Sequence, residues 1–544
     1  MLKEDGELES IIIELVASMG MIVRSSPQKG VRQDGVDIHA VGVDPDDGNK
    51  KNFLITIKQG NISRTTWDAP KQGVRESLNE IIDVYINNKL SNSDKKLPIK
   101  IITCCGGELM QDVKSNWDGF QRKYSQYEFD LWNGNSLSRD ILKFLLNETI
   151  FFEEARNKMR RTLVVLSDTS YDLYHFKLMI NELFFNSKWH NLKIPKLEKQ
   201  AMKALSTVLV CLGMIYEYSK ENNNLTHALM ATEYCLLKCW HFIQFHKLDK
   251  NKTIINKHAE IFNLYFQYSS EYFSRIYAHC YVKNAITMDC YERVSASEVV
   301  FKQIGLISTL GLIQLSRTGI CDNSQIIVRS LIELINNNGI SGSPAYDNLT
   351  IEICLAVYFL ALSGESNFIK KWFNDLISRF HFSYLYGKGF PIAYDSIDKL
   401  IEFEYRNEYT KEDMILSSHL LPTLAYWCAI LDFPDVYANL LDFVESNLKK
   451  CCLQIWFPAK GIKDKLFSGY VGNEFGIVEA PIILPKKLEE LRARLKDFVI
   501  SSKTNSCFET DWQDLTLIFS IIASRHFRTP VNPFIWLSRI HDTH

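Results

Sequence analysis

The stretch GVDIHAVGVDPDDGNKKNFLITIKQG, residues 35–60, decides how the first part of this chain is read. Two runs, GVDIHAVGV and NFLITIKQ, alternate with period two, as strands do when one face turns to a core. Between them DPDDGN supplies the Asp, Pro, Gly and Asn of a turn. With that turn centred between residues 47 and 48, Asp37 lies opposite Lys58. One face of the hairpin then carries Asp37, His39, Thr56 and Lys58, and the other carries Ile38, Ile55 and Ile57.

Working outward, LESIIIELVASMG has Leu8, Ile11, Ile12, Leu15, Val16 and Met19 at helical spacing and stops at Gly20. MIVRS follows as a strand. Beyond the hairpin, GVRESLNEIIDVYINNKL (73–90) reads as an amphipathic helix, and PIKIITCCGG (98–107) as a buried strand closed by glycines. A further helix, the strand YEFDLWNG and the helix SLSRDILKFLLNE complete an α/β domain over residues 1–150, a mixed sheet flanked by helices. Residues 151–544 are almost wholly amphipathic helices with short loops, a large all-α domain suited to sensing or assembly. An irregular insertion at 466–487, rich in Gly, Pro and β-branched residues, is either a loop or a hairpin. No fixed-period repeat is visible, so a helical-repeat array stays open.

The 544 residues carry a formal charge of −2, which gives no global attraction to nucleic acid or membrane. Thirteen cysteines, an odd number without a secretory leader, fit reduced thiols and a cytoplasmic location. The most apolar runs, 204–218 and 349–362, fall short of the roughly 20 residues of a membrane span, so buried helices are expected and no membrane partner.

Charge opposite charge on a hairpin is ordinarily a surface ion pair worth about 0–1 kcal/mol. Glu9 changes that reading, because it flanks the apolar stripe of the first helix while Glu14 points away. A helix packed on the hairpin brings Glu9 toward Asp37 and Lys58. Two carboxylates and a lysine are a minimal set for metal-assisted phosphodiester hydrolysis, with Mg²⁺ or Mn²⁺ on the carboxylates and the lysine steadying hydroxide or transition state. His39, on the same face, could assist. Between residues 50 and 75 six basic residues (Lys50, Lys51, Lys58, Arg64, Lys71, Arg75) face one acid, Asp68, so phosphates are expected there. Trp67 could stack on a base, but core packing is the better expectation.

The order of "LE" on the first helix, "QDGVDI", and a strand ending "TIK" resembles the Mrr-like branch of the PD-(D/E)XK nucleases. The stretches KQGNISRTTWD, RESLNEIIDVYI, IITCCGGELMQDVKSNW and FDLWNGNSLSRDIL look like the nuclease modules at the N-termini of bacterial anti-phage effectors. The resemblance covers about residues 1–150 and implies a restriction-endonuclease-like fold. It makes Glu9 and Asp37 metal ligands, with the backbone carbonyl of Ile57, and Lys58 the catalytic lysine. Thr56 departs from the family, which places an acid or glutamine there; Gln59 next door could adjust the geometry. The expected function is a metal-dependent endonuclease on double-stranded DNA, acting in anti-phage defence and joined to a helical domain that self-assembles or binds a protein. The rival expectation is a degenerate, non-catalytic nucleic-acid-binding or scaffold protein. Cys235, Cys239 and His246 share a helical stripe, but core packing outweighs a zinc site, and GKGFP (387–391) lacks a P-loop's spacing.

Overall fold

The structure, a computed structural model, describes residues 8–25, 34–70, 73–140, 153–189, 192–387, 391, 393, 397–404, 406, 410, 414–462, 466–467, 476–504 and 514–529. The chain divides into two compact units, Met1–Asn224 with Asn251–Lys257, and Leu225–Lys250 with His258–His544.

The first unit is built on a five-stranded mixed sheet in the order β1 (Ile22–Ser25), β2 (Ile38–Val43), β3 (Lys50–Lys58), β4 (Ile99–Cys105), β5 (Glu128–Trp132). The first three strands form an antiparallel meander, and β3, β4 and β5 run parallel. Parallel pairing requires a crossover, supplied here by helices. These are α2 (Arg64–Trp67), then α3 (Val74–Glu80), a π-helical turn (Ile81–Tyr85) and α4 (Ile86–Asn88) between β3 and β4, and α5 (Gln111–Lys123) between β4 and β5.

Alternation along β3 decides which layer each residue meets. Phe53, Ile55 and Ile57 pack with Ile38, Ile102 and Cys104 against α1 (Glu9–Ser18), whose Leu8-to-Val16 stripe covers that face. Leu54 joins Val36, Ile101 and Cys105 under Trp67, Leu78, Ile81, Trp117 and Phe120 on the other. Both faces are covered, so β3 is buried along nearly its whole length. Gly20 ends α1 at φ +85°, where a side chain would be strained. Beyond the sheet come α6 (Gly134–Asp140), α7 (Glu153–Val165), α8 (Tyr174–Phe184) and α9 (Ile194–Glu221). Val210 and Met214 of α9 enter the α1 cluster, and Glu14 of α1 pairs with Lys257.

The second unit is helical. It includes α10 (Thr226–Phe245) and most of α11 (Lys252–Cys280), and the end of α11 joins α12 (Arg293–Thr318), α13 (Asp322–Asn337), α14 (Thr350–Leu362) and α15 (Ser366–Tyr386) around one apolar core. The only strands among its described residues are two short ladders, β6 (Ser417–Ser418) with β7 (Cys452–Leu453) and β8 (Ile455–Pro458) with β9 (Gly476–Glu479). β9 lies in the 466–487 insertion, so that segment supplies the second strand of an antiparallel pair. The run 349–362 is α14, buried at nearly every position. The run 204–218, expected to be too short for a span, belongs to the 28-residue α9. By length and composition α9 and α12 could each cross a bilayer, yet 56% and 78% of their apolar windows are buried inside the fold, so they read as core helices.

Candidate active site

β2 and β3 separate at their Asp37 end. Ile38 is the first paired residue of β2 and faces Ile55, while β3 runs on through Thr56, Ile57 and Lys58 beside β4. The hairpin register therefore differs by two residues from the one expected, and Thr56, not Lys58, lies across from Asp37. The reason is the turn. Val43 and Lys50 are the last pair, and the loop closes with the Asp44 amide on the Asn49 carbonyl at 2.8 Å and the Gly48 amide on the Asp44 carbonyl at 2.8 Å.

Where β2 ends, the Asp37 side chain takes its place. The Asp37 amide donates to the Ile55 carbonyl at 2.9 Å. Its Oδ2 then accepts from the Ile57 amide at 2.6 Å and from the Thr56 hydroxyl at 3.5 Å. A strand residue's N–H and C=O point to the same edge, so the Ile57 carbonyl faces this same opening. Burial pushes the Asp37 carboxyl above the usual carboxylate range, against the opposing pull of the Ile57 amide, the Lys58 charge and the Thr56 hydroxyl.

The approach to Asp37 is tightly built. Asp34 and Gly35 both take positive φ, +49° and +81°. A Cβ on Gly35 would sit 2.2 Å from the Ser77 carbonyl oxygen of α3, so only glycine lets the chain pass that close to the helix.

Glu9, half-buried, opens α1. Its neighbour Leu8 is buried with Ile57 and Cys104 and reaches within 4.0 Å of where a side chain on Gly106 would begin. Gly106 follows β4 directly, and Cys105 pairs with Lys58. The N-terminus of α1 thus reaches the carboxyl ends of β3 and β4, where ligands of open α/β sheets bind. Glu9 arrives from the face opposite the one to which Thr56 and Lys58 alternate. The structure brings Asp37, Thr56, Ile57 and Lys58 together and sets Glu9 at the same end of the sheet. All the oxygen donors here are hard, as Mg²⁺ requires, so the residues fit the ion. Gln59 is exposed just past β3. No protein-family model, curated protein or solved structure matches this chain.

Other expected residues have other roles. His39 is buried, 3.1 Å from the Asn52 side-chain oxygen and edge-on to Tyr85; burial lowers its pKa, and it acts as a packing residue. Trp67 is wholly buried, edge-on to Trp117 and Phe120. The basic run between residues 50 and 75 does not form one surface. Lys50 and Lys51 begin the nine-residue β3, so about 25 Å of strand separates them from Lys58. Lys51 is buried against Asp44, Asp47 and Glu128; burial opposes its charge, but these carboxylates outweigh it and hold the ammonium well above its ordinary value. Arg64 is exposed on α2. Arg75 is 3.2 Å from Asp68 and 5.7 Å from the centre of the Trp67 ring. Lys71 lies outside the described residues. Cys235 and Cys239 are buried core thiols.

The charged cluster that sequence reasoning missed sits at the Lys51 end of the sheet. Lys100 of β4 meets Asp44, Asp46, Glu128 and Asp130 there. Asp44, Asp47 and Glu128 are spaced as metal ligands could be, but the ammonium groups of Lys51 and Lys100 already neutralise them. The available signal was a lysine inside the apolar run PIKIITCC, which burial obliges to find carboxylates.

Proposed function

We propose that the N-terminal unit is a restriction-endonuclease-like, metal-dependent endonuclease that hydrolyses phosphodiester bonds of DNA. The observation that carries this reading is the half-buried Asp37 carboxylate, fixed by the Ile57 amide where β2 and β3 part, with the Lys58 charge beside it. A raised carboxyl pKa means that ionised Asp37 is held at a cost, which a divalent cation would offset. Asp37, the Ile57 carbonyl and Glu9 would hold Mg²⁺ or Mn²⁺. Bound there, the ion supplies positive charge for the phosphoryl oxygens and an acidified water. Lys58 contributes a fixed positive charge to the developing transition state. The mixed five-stranded sheet flanked by helices is compatible with the resemblance to nuclease modules of anti-phage effectors, and the large helical unit suits sensing, self-assembly or a protein partner. By that analogy the chain acts in anti-phage defence.

The test is incubation of the purified chain with plasmid, linear DNA and RNA, each with and without Mg²⁺ or Mn²⁺. Wild-type protein nicks or linearises plasmid only with the ion. Asp37→Ala leaves plasmid supercoiled; full cleavage by that variant overturns the reading.

One observation favours the degenerate alternative. Thr56, where the resemblance calls for an acid or glutamine, is 1% exposed with its hydroxyl toward Asp37. A non-catalytic scaffold is expected to show no Mg²⁺- or Mn²⁺-dependent rise in thermal stability, whereas the enzyme shows one that Glu9→Ala abolishes.

A further inference from the structure

Charge that the 50–75 run does not gather into one surface is gathered elsewhere in the same unit. Residues 153–203 hold ten basic and six acidic side chains, a net +4, along α7, α8, the start of α9 and the segments between them, and these helices pack on one another. The densest part is the start of α9. Lys193 is its N-cap, and Lys196, Lys199 and Lys203 follow at spacings of three and four, along one face of the helix. Lys193, Lys196 and Lys199 are exposed and Lys203 half-exposed. No carboxylate pairs with any of the four among the described residues.

This arrangement is locally unfavourable on two counts. Like charges three and four residues apart on a helix repel. Positive charge in the first turns also opposes the helix dipole, whose positive end is there, and α9 has no acidic residue in its first turn and no side-chain cap. A partner bearing a row of negative charges relieves both. Lys193 to Lys203 spans about 15 Å of helix, which matches about four phosphates of one strand at roughly 3.4 Å each along a duplex.

We infer that Lys193, Lys196, Lys199 and Lys203 of α9 form a stripe that binds the phosphate backbone of double-stranded nucleic acid. It deepens the nuclease reading above and rests on it for the identity of the polyanion. The stripe and the candidate site share a scaffold, since Val210 and Met214, further along α9, pack into the cluster formed by the helix that begins with Glu9. Backbone contact of this kind is blind to sequence and positions the substrate rather than selecting it.

The experiment is fluorescence polarisation of a labelled 25-base-pair duplex with the full chain in EDTA, over a NaCl series, so that binding is read without cleavage. Wild type binds with a steep salt dependence. The variant Lys196→Glu/Lys199→Glu/Lys203→Glu weakens binding roughly tenfold or more and lowers the salt slope by about three. Its melting temperature does not fall, because acids at that helix end suit the dipole. Should the triple variant misfold, Lys196→Gln/Lys199→Gln/Lys203→Gln gives a loss in the same direction. Unchanged affinity and slope in a folded variant overturn the inference. So does wild-type binding to vesicles containing phosphatidylserine but not to the duplex, an outcome that exposed Ile194 beside the lysines makes worth measuring. Failure of the nuclease reading is distinguishable: a wild type that binds through the stripe yet never cleaves with Mg²⁺ or Mn²⁺ removes the enzyme and leaves the stripe standing.

Discussion

At one end of β3, Lys51 and its neighbour Lys100 are buried among Asp44, Asp46, Asp47, Glu128 and Asp130. At the other, Lys58 has no carboxylate within ion-pair distance among the described residues, and Asp37 is held by a backbone amide. The residue types are the same and the solutions are opposite. Ammonium groups that serve the fold are surrounded until their charge is compensated, because leaving them buried and alone is prohibitive. The Asp37 end keeps a carboxylate and an ammonium close enough to feel each other but not joined.

The largest expected effect breaks the Asp37 end. Asp37→Ala and Lys58→Ala each lower metal-dependent plasmid cleavage by roughly a thousandfold, about 4 kcal/mol on the barrier, while circular dichroism and Tm stay near wild type. Asp44→Ala tests the other end. It removes the carboxylate that both Lys51 and Lys100 reach, at 2.9 and 3.1 Å, while Asp47, Glu128, Asp46 and Asp130 still face the two ammonium groups, and is expected to destabilise the first unit by about 1–3 kcal/mol, read by denaturant unfolding. If Asp44→Ala abolished cleavage with stability intact, and Asp37→Ala unfolded the protein, the contrast between the ends would be reversed.

Much of this contrast lies beyond what the sequence carries. Periodicity and turn residues place α1, the first four strands and the helix at 73–90, because each is a local pattern with its own terminator, such as Gly20 or the DPDDGN turn. The grouping of Asp37 with Thr56 and Lys58 was also legible, since parity along a strand survives a register change of two, while the Ile57 carbonyl came only from the family resemblance. The register itself was not, because it depends on which of the turn's hydrogen bonds close. Nor was the fate of Lys51, which looks like a phosphate ligand until β4 and β5 bring Lys100, Glu128 and Asp130 beside it. The burial of His39 and Thr56 depends on α3 and α5 covering their face, a layer no local pattern reports.

A smaller effect sharpens the Asp37 end through pH. Burial raises the Asp37 carboxyl above its ordinary 3.8. A carboxyl raised in the folded state binds protons that the unfolded chain has lost, so stability falls as pH climbs through the range just above 3.8. Asp37→Asn removes the ionised form while keeping an oxygen to accept from the Ile57 amide. The variant is expected to melt slightly above wild type at pH 7, with the gain vanishing below about pH 4. A gain that persists unchanged into acid would assign the effect to packing and remove the electrostatic argument.

The smallest expected effect concerns Thr56. Its hydroxyl donates to Asp37 at 3.5 Å, the outer limit of a hydrogen bond, so it lowers the carboxyl's pKa only a little. Thr56→Val keeps the branched shape and removes that hydroxyl. With the hydroxyl merely supporting Asp37, cleavage falls about twofold to fivefold, and the Mg²⁺ concentration for half-maximal rate is unchanged. With the hydroxyl as a metal ligand in place of the missing acid, the loss is larger and that concentration rises. The two outcomes separate a carboxylate site that works with Asp37 and Glu9 alone from one that recruits a neutral oxygen.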